Sequence, residues 1–252
     1  MLAARILFRA ACASCPVCKG GGDRARNHCP NRTVLGILGK HGTYAEYLTL
    51  PCRNLHVVPN NVTDAAAVFA EPLAAACRIV EQGLVPSEAT AAVLGDGKLG
   101  LLIAEVLARR PSGTGGLGGT TIIGRHKEKM DLCCTRLTGG LKIRRVNVAE
   151  ETAVEAMTGG FDVVVDATGS PTGLASASQL CRPMGTVVLK STCATGGSFN
   201  PAPLVINEQR VVGSRCGPFE AALELLASTA EDAIDVEKYI SGVCEIGLGY
   251  EK

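Results

Sequence analysis

Two stretches of the chain carry residues whose types and spacing can do chemistry. The first is Cys12, Cys15, Cys18 and Cys29, in the pattern C-x2-C-x2-C-x10-C. Thiolates this close in sequence can close a tetrahedron around one zinc ion, and a site with four protein ligands is structural because no position stays open for substrate. Gly20-Gly21-Gly22 lets the chain turn tightly between them. The plainer alternative is a set of free thiols near an unordered end. The second stretch is Gly95-Asp96-Gly97-Lys98-Leu99-Gly100. G-x-G-x-x-G cradles a dinucleotide when it follows a strand and opens a helix. In that reading Gly95 makes the tight turn, Gly97 lets the backbone approach the pyrophosphate, and Gly100 allows close packing. The free N–H groups of Lys98, Leu99 and Gly100 then face the phosphates with the positive end of the helix dipole. In a chain with 30 glycines, a bland glycine-rich turn is the alternative.

The elements around that loop have the required order. Ala91–Leu94 is an apolar run, and Leu99, Leu102, Ile103, Val106 and Leu107 recur at helical spacing. Strands are expected at Ala91–Leu94, Thr120–Ile123, Ile143–Val148, Asp162–Asp166, Thr186–Leu189 and Arg210–Gly213. Helices are expected at Leu99–Arg109, Lys127–Leu137, Glu150–Met157, Pro171–Leu180 and Pro218–Ala227. Strand and helix alternation over six strands predicts an α/β fold with a Rossmann doubly wound parallel sheet. The run Pro111–Gly119 reads as a flexible insertion. Upstream, Thr33–Val58 reads as a small β-rich unit of short strands punctuated by Gly, Asn and Pro. Thr63–Gln82 reads as helix capped by Thr63 and broken before Pro72.

The second strand of the fold selects the nucleotide. NAD binders usually end it with an acid that accepts from the ribose hydroxyls. Here Thr120-Thr121-Ile122-Ile123 runs into Gly124-Arg125-His126-Lys127. A guanidinium at Arg125 can pair bidentately with a 2′-phosphate, with His126 or Lys127 beside it, so the expected cofactor is NADP in preference to NAD. A solvated Arg125 at a strand end is the plainer alternative.

Composition narrows the classes. Formal net charge is +1 with both signs interspersed, which disfavours nucleic acid and acidic membrane as partners. Lys19, Arg24 and Arg26 near the cysteines come without an aromatic residue to stack bases. No apolar run reaches the roughly 20 residues of a membrane span. Twelve cysteines, four of them clustered, suit a reducing, cytoplasmic compartment better than a disulfide framework. The opening MLAARILFRAACA, with two Arg and no acid, reads as a stub of strand, with an organellar presequence as the alternative.

The pieces together resemble the medium-chain dehydrogenase/reductases of zinc alcohol dehydrogenase type, nearest the polyol, glucose and threonine dehydrogenase branch. The resemblance rests on the four-cysteine lobe, Gly42-Thr43-Tyr44-Ala45-Glu46-Tyr47, Glu71-Pro72-Leu73, the glycine loop, Asp166-Ala167-Thr168-Gly169 and Val212-Gly213-Ser214-Arg215. It implies a partial β-rich, GroES-like catalytic domain with its structural zinc lobe over residues 1–72. A nucleotide-binding domain follows over 73–228, then a short return segment over 229–252. It implies zinc and NADP (or NAD) as cofactors, a small alcohol or polyol as substrate, and a homo-oligomer built through the sheet edge. Glu71 matches a ligand of the family's catalytic zinc, which polarises the alcohol oxygen so that hydride passes to the nicotinamide. Thr168 would pass under the cofactor, Leu189 and Lys190 would offer backbone groups to the carboxamide, and Ser214 and Arg215 would close over the nicotinamide side.

The family's other catalytic ligands precede the lobe, and no Gly-His-Glu occurs among His28, His41, His56 and His126. The expectation is therefore a chain trimmed at both ends. It would either be a zinc-dependent alcohol–carbonyl oxidoreductase by kinship or an NAD(P)-binding protein without catalysis, and it would expose apolar surface around the β-rich unit.

Overall fold

The structure, a computed structural model, describes residues 2–4, 11–20, 26–109, 119–133, 143–193, 196, 198–229 and 233–243. The helix expected over Lys127–Leu137 stops at Met130 in its described part, and residues 131–133 turn instead of continuing it. The expected insertion at 111–118, Gly21, Gly22, Arg24 and the expected helix beyond Cys133 lie outside the described residues. So does most of the presequence-like stretch, as do 230–232 and 244–252 of the return segment.

The amino-terminal part is a loose assembly of short pieces. Strand β1 (Leu2–Ala4) pairs antiparallel with β4 (Leu55–Val57). Helix α1 (Pro16–Gly20) carries Cys18, and β2 (Val34–Leu35) pairs with β3 (Gly39–Lys40). The expected strand in Gly42–Leu48 does not form: the stretch is bends and coil, and Tyr44 and Tyr47 are more than four-fifths exposed. Apolar alternation alone does not hold a strand there, because no strand among the described residues pairs with it. Ile37, Val57 and Val68 are also exposed, giving this region the apolar surface expected of it.

The expected two helical pieces are α2 (Asp64–Ala67) and α3 (Ala70–Glu81). Thr63 Oγ1 accepts from the Ala66 N–H at 3.0 Å, the cap the sequence asked for. The break falls at Val68–Phe69 and not directly before Pro72. Pro72 lies in the first turn of α3, where a missing N–H costs nothing because that group has no partner in the helix.

From here strand and helix alternate. β5 (Ala91–Leu94) leads to α4 (Lys98–Ala108), β6 (Thr120–Gly124) to α5 (Lys127–Met130), and β7 (Ile143–Asn147) to α6 (Glu151–Glu155). Next come β8 (Phe161–Asp166), α7 (Gly173–Leu180) and β9 (Cys181–Leu189). Then α8 (Ala202–Ile206), β10 (Arg210–Gly213) and α9 (Phe219–Ala227) complete the domain. The sheet is parallel in the order β10-β9-β8-β5-β6-β7, the doubly wound Rossmann arrangement. β9 starts five residues before the expected Thr186, because Pro183 and Met184 (φ +61°) sit in an irregular stretch where Phe161 pairs with Cys181 but Val163 with Thr186. Helix α8 was not expected at all.

The strands are apolar on both sides, as a sheet covered on both faces requires. Ala91, Val93, Ile122, Val163, Val165 and Val188 face one core with α3, α4 and α9. Ala92, Leu94, Ile123, Val164 and Val187 face the other with α7. Helix α4 is buried nearly all round, and this includes Glu105, whose side chain is fully buried. Its carboxylate accepts from Tyr239 Oη at 2.7 Å and Lys238 Nζ at 2.8 Å and pairs with Arg109, which also donates to the Ala233 carbonyl. Burial pushes the Glu105 carboxyl up, but Lys238 and Arg109 outweigh it and hold it below the ordinary glutamate value of 4.5.

This network ties the described part of the return segment to the helix behind the glycine loop. A carboxyl held low in the fold stabilises it fully above its unfolded value and ceases to do so as pH falls through the folded value. Thermal unfolding should therefore show a loss of stability on acidification that Glu105→Gln largely removes. At neutral pH that variant should cost about 3–5 kcal/mol, the penalty of leaving buried partners uncompensated. An acid limb equally steep in the variant would show that other carboxyls govern it.

Candidate functional site

The parallel register brings the carboxyl ends of five strands to one edge. Leu94 pairs with Ile123 and Asp166, Asp166 with Leu189, and Leu189 with Gly213. The loops carrying Gly95–Gly97, Arg125 and His126, Thr168, Lys190, and Ser214 and Arg215 therefore leave the sheet side by side. The strand order reverses between β5 and β8, where open α/β sheets bind ligands.

The glycine loop sits at that crevice. Gly95 has φ +106°, and a Cβ there would stand 2.7 Å from the Ala167 carbonyl oxygen, so the turn after β5 presses directly on the turn after β8. A Cβ on Gly100 would run into the Gly95 carbonyl, so the first turn of α4 closes on its own loop. At Gly97 a Cβ would meet nothing within 4 Å: the space over the loop is open. Gly97 caps α4 without a side-chain hydrogen bond, so no capping side chain takes the first helical N–H groups, those of Lys98 and Leu99 among them. An open cradle under uncapped N–H groups fits a pyrophosphate.

Beside it, Asp96 is buried at 7% exposure. Its Oδ2 accepts from the Arg125 N–H at 2.8 Å and the His126 N–H at 2.5 Å, and lies 3.0 Å from His126 Nδ1. Burial pushes this carboxyl up, but the His126 and Arg125 hydrogen bonds outweigh it and hold it below the usual range. Gly124 makes room for it, since a Cβ there would stand 2.5 Å from the Asp96 Cβ. The Arg125 side chain is exposed. In the sequence Asp96 is only a variable position of the glycine motif, and the acid is expected at the end of β6.

The turn after β8 is fixed by Asp166, whose Oδ1 accepts from the Thr168 N–H at 2.9 Å and Thr168 Oγ1 at 2.7 Å. The Lys190 and Ser191 N–H groups donate to the Asp166 carbonyl, and Ser214 N–H to the Leu189 carbonyl. The Lys190 side chain donates to Ser214 Oγ at 3.1 Å. Burial pushes Lys190 down to about 8 against the opposing charges of Cys216 and Glu71. Glu71, in the first turn of α3, is half-buried; burial raises its carboxyl and the Lys190 charge pulls it back. Arg215 reaches out of the crevice and donates to the Asn27 carbonyl at 2.9 Å, clasping the cysteine lobe.

That lobe is assembled. The sulfurs of Cys12, Cys15, Cys18 and Cys29 all lie within 4.8 Å of one another. Cys15–Cys29 is 3.9 Å and Cys29–Cys12 is 3.7 Å. Four Zn–S bonds of about 2.3 Å in a tetrahedron put sulfurs about 3.8 Å apart, so the set fits zinc closely. The Cys15 N–H points at Cys12 Sγ and the Cys18 N–H at Cys15 Sγ. Hydrogen bonds from Ser14 hold Cys12 down to about 5, while burial and the neighbouring thiols push Cys18 up to about 12. Four sulfurs cannot all shed their protons at this spacing without a cation between them. Among the described residues this is the one group of three or more such ligands. Glu71 does not gather Cys52, Cys77 or His56 into a second group. His56 stacks on Phe219, 5.2 Å between ring centres, and pairs with Glu220.

Comparison with known proteins agrees with this geometry. Residues 121–229 match the family described as zinc-binding dehydrogenase. The chain is 32% identical over 227 residues to glucose 1-dehydrogenase 2 of Vulcanisaeta moutnovskia, covering 83% of this chain and 62% of that protein. A zinc-binding dehydrogenase from Sinorhizobium meliloti 1021, solved bound to NADP, superposes with TM-score 0.71 at 27% identity over 87% of this chain and 64% of that one. Alcohol dehydrogenase TADH from Thermus sp. ATN1 gives 0.73 at 26% identity, over 96% and 71%. The chain spans less than two thirds of the length of the curated relatives it matches.

Elemental analysis of the purified chain should find about one zinc, and a strong chelator should release it and expose four reactive thiols. Cys29→Ser should purify with little metal and unfold at lower temperature. Metal-free chain with unchanged stability would remove zinc from the lobe.

Proposed function

We propose, for a chain that belongs to the zinc-binding dehydrogenase family, that it holds NAD(P) across the carboxyl edge of its sheet and serves hydride transfer between a small alcohol or polyol and that cofactor. The observation that carries the reading is the open cradle at Gly97, beneath the uncapped start of α4 and at the crevice between β5 and β8. When bound, the nicotinamide dinucleotide supplies the carbon that takes up hydride. The chain's residues bind and orient. The N–H groups of α4 take the pyrophosphate. The Thr168 turn floors the crevice, held rigid by Asp166. Leu189, Lys190 and Ser214 define its nicotinamide end, and Arg215 fastens that end to the cysteine lobe. With four ligands closed around it, zinc would cross-link the lobe.

The substrate class follows the relatives, which are named for glucose and for alcohol oxidation. An edge-to-edge homo-oligomer is supported by β10, which ends the sheet with Val211 exposed, and by the exposed Met184, Val205 and Ile206 nearby. Among the described residues no helix is long and apolar enough to cross a membrane. A second reading, nucleotide binding without turnover, is favoured by Glu71, which joins no second cluster of metal ligands among the described residues.

Titration of NADH and NADPH fluorescence should show saturable binding, and Gly97→Glu should weaken it at least about tenfold by filling the cradle with a repelling charge. Nucleotide reduction at 340 nm with glucose, a polyol or a simple alcohol then separates the two readings. Binding with turnover supports the first, binding alone the second, and no binding removes both.

A further inference from the structure

The adenosine end of the crevice presents an inversion. In dinucleotide folds an acid at the carboxyl end of the second strand accepts from the ribose hydroxyls, and its replacement by a cation admits a 2′-phosphate. Here that position is Gly124, and Arg125 follows it. Yet the volume over Gly124 is not vacant. Asp96 reaches across from the glycine loop, and its carboxylate stands where an acidic side chain from β6 would stand: a Cβ on Gly124 would lie 2.5 Å from Asp96 Cβ and 2.7 Å from its Oδ2.

We infer that Asp96 is the residue that selects the nucleotide, accepting from the adenosine ribose and turning away a 2′-phosphate, so that the chain prefers NAD(H) to NADP(H). This rests on the dinucleotide reading above and reverses the preference that Arg125 suggests in the sequence.

Three observations weigh Asp96 against Arg125. First, a phosphate at this corner would look for the backbone N–H groups that follow β6. Those of Arg125 and His126 are already taken by Asp96 Oδ2, at 2.8 and 2.5 Å. Second, Asp96 is buried and its charge is poorly screened, whereas the Arg125 guanidinium is exposed and its attraction is diluted by water and salt. Third, Oδ1 takes no hydrogen bond from a described residue, so one acceptor remains for a ribose hydroxyl while the other holds the loop. His126 Nδ1, 3.0 Å from Oδ2, holds the carboxylate in place from the other side. The pairing of Gly124 with Asp96 is sterically obligatory: any side chain on β6 at that point would displace the acid.

The test is direct binding, measured by calorimetry or fluorescence, of NADH and NADPH to the whole chain, and to Asp96→Asn and Asp96→Ser with thermal unfolding followed in parallel. The expected result is NADH bound at least about tenfold more tightly than NADPH, with that ratio falling about tenfold in Asp96→Asn because NADPH gains. Asp96→Ser keeps a hydroxyl for the loop and should shift the ratio the same way if the Asn variant fails to fold. Equal affinities in the unmodified chain, or a preference for NADPH, would overturn the inference. So would variants that lose both nucleotides in equal proportion, which would make Asp96 a loop support only. If neither nucleotide binds the unmodified chain, the dinucleotide reading itself fails, and this inference with it.

Discussion

Everything at the carboxyl edge hangs on a contact that admits no side chain. Gly95 turns with φ +106° against the Ala167 carbonyl, and Gly100 closes on the Gly95 carbonyl from the other side. With three backbone segments in direct contact, β5, β8 and α4 have no freedom relative to one another. The contact fixes the crevice where the strand order reverses and the direction in which α4 points its first N–H groups. It also fixes the angle at which Asp96 leaves the loop to meet the end of β6. A methyl group in that contact would move all three together, since backbone offers no flexible end that can give way.

The sheet that carries this contact is strong because it is apolar on both faces, and that is also why it was legible. Val163, Val164 and Val165 alternate between two cores, and such β-branched runs between helical periods have few other solutions. The glycine motif was legible for the same kind of reason: each glycine answers a steric demand that the sequence states by spacing. The four-cysteine lobe needed only proximity in sequence. What failed to read through depended on partners far away in the chain. The stretch around Tyr44 and Tyr47 has strand chemistry but, among the described residues, no strand paired with it. The early start of β9 is hidden by Pro183 and by Met184 in a left-handed conformation, both of which are tolerated there by an irregular register with β8.

Asp96 shows the limit most clearly. In the sequence it is merely the variable residue inside a glycine pattern, and the position that carries meaning is the end of the next strand. Only in three dimensions do those two places coincide, 28 positions apart in the chain and separated by the width of one absent side chain at Gly124. Glu105 teaches the same lesson from the opposite direction. An acid on the fully buried helix α4 contradicts its surroundings until Lys238 and Tyr239 arrive from the return segment.

The clasp between Arg215 and the Asn27 carbonyl joins residues 188 positions apart. The lobe it grips brings together cysteines that are near neighbours in sequence, so its loop-closure entropy is small. The sheet is different: its β10 edge closes only when Arg210–Gly213 lies beside Thr186–Leu189, and β10 is the last of its strands among the described residues. The clasp therefore couples a unit closed by local contacts to one closed by contacts far apart in the chain, and loosening either end of it releases the other.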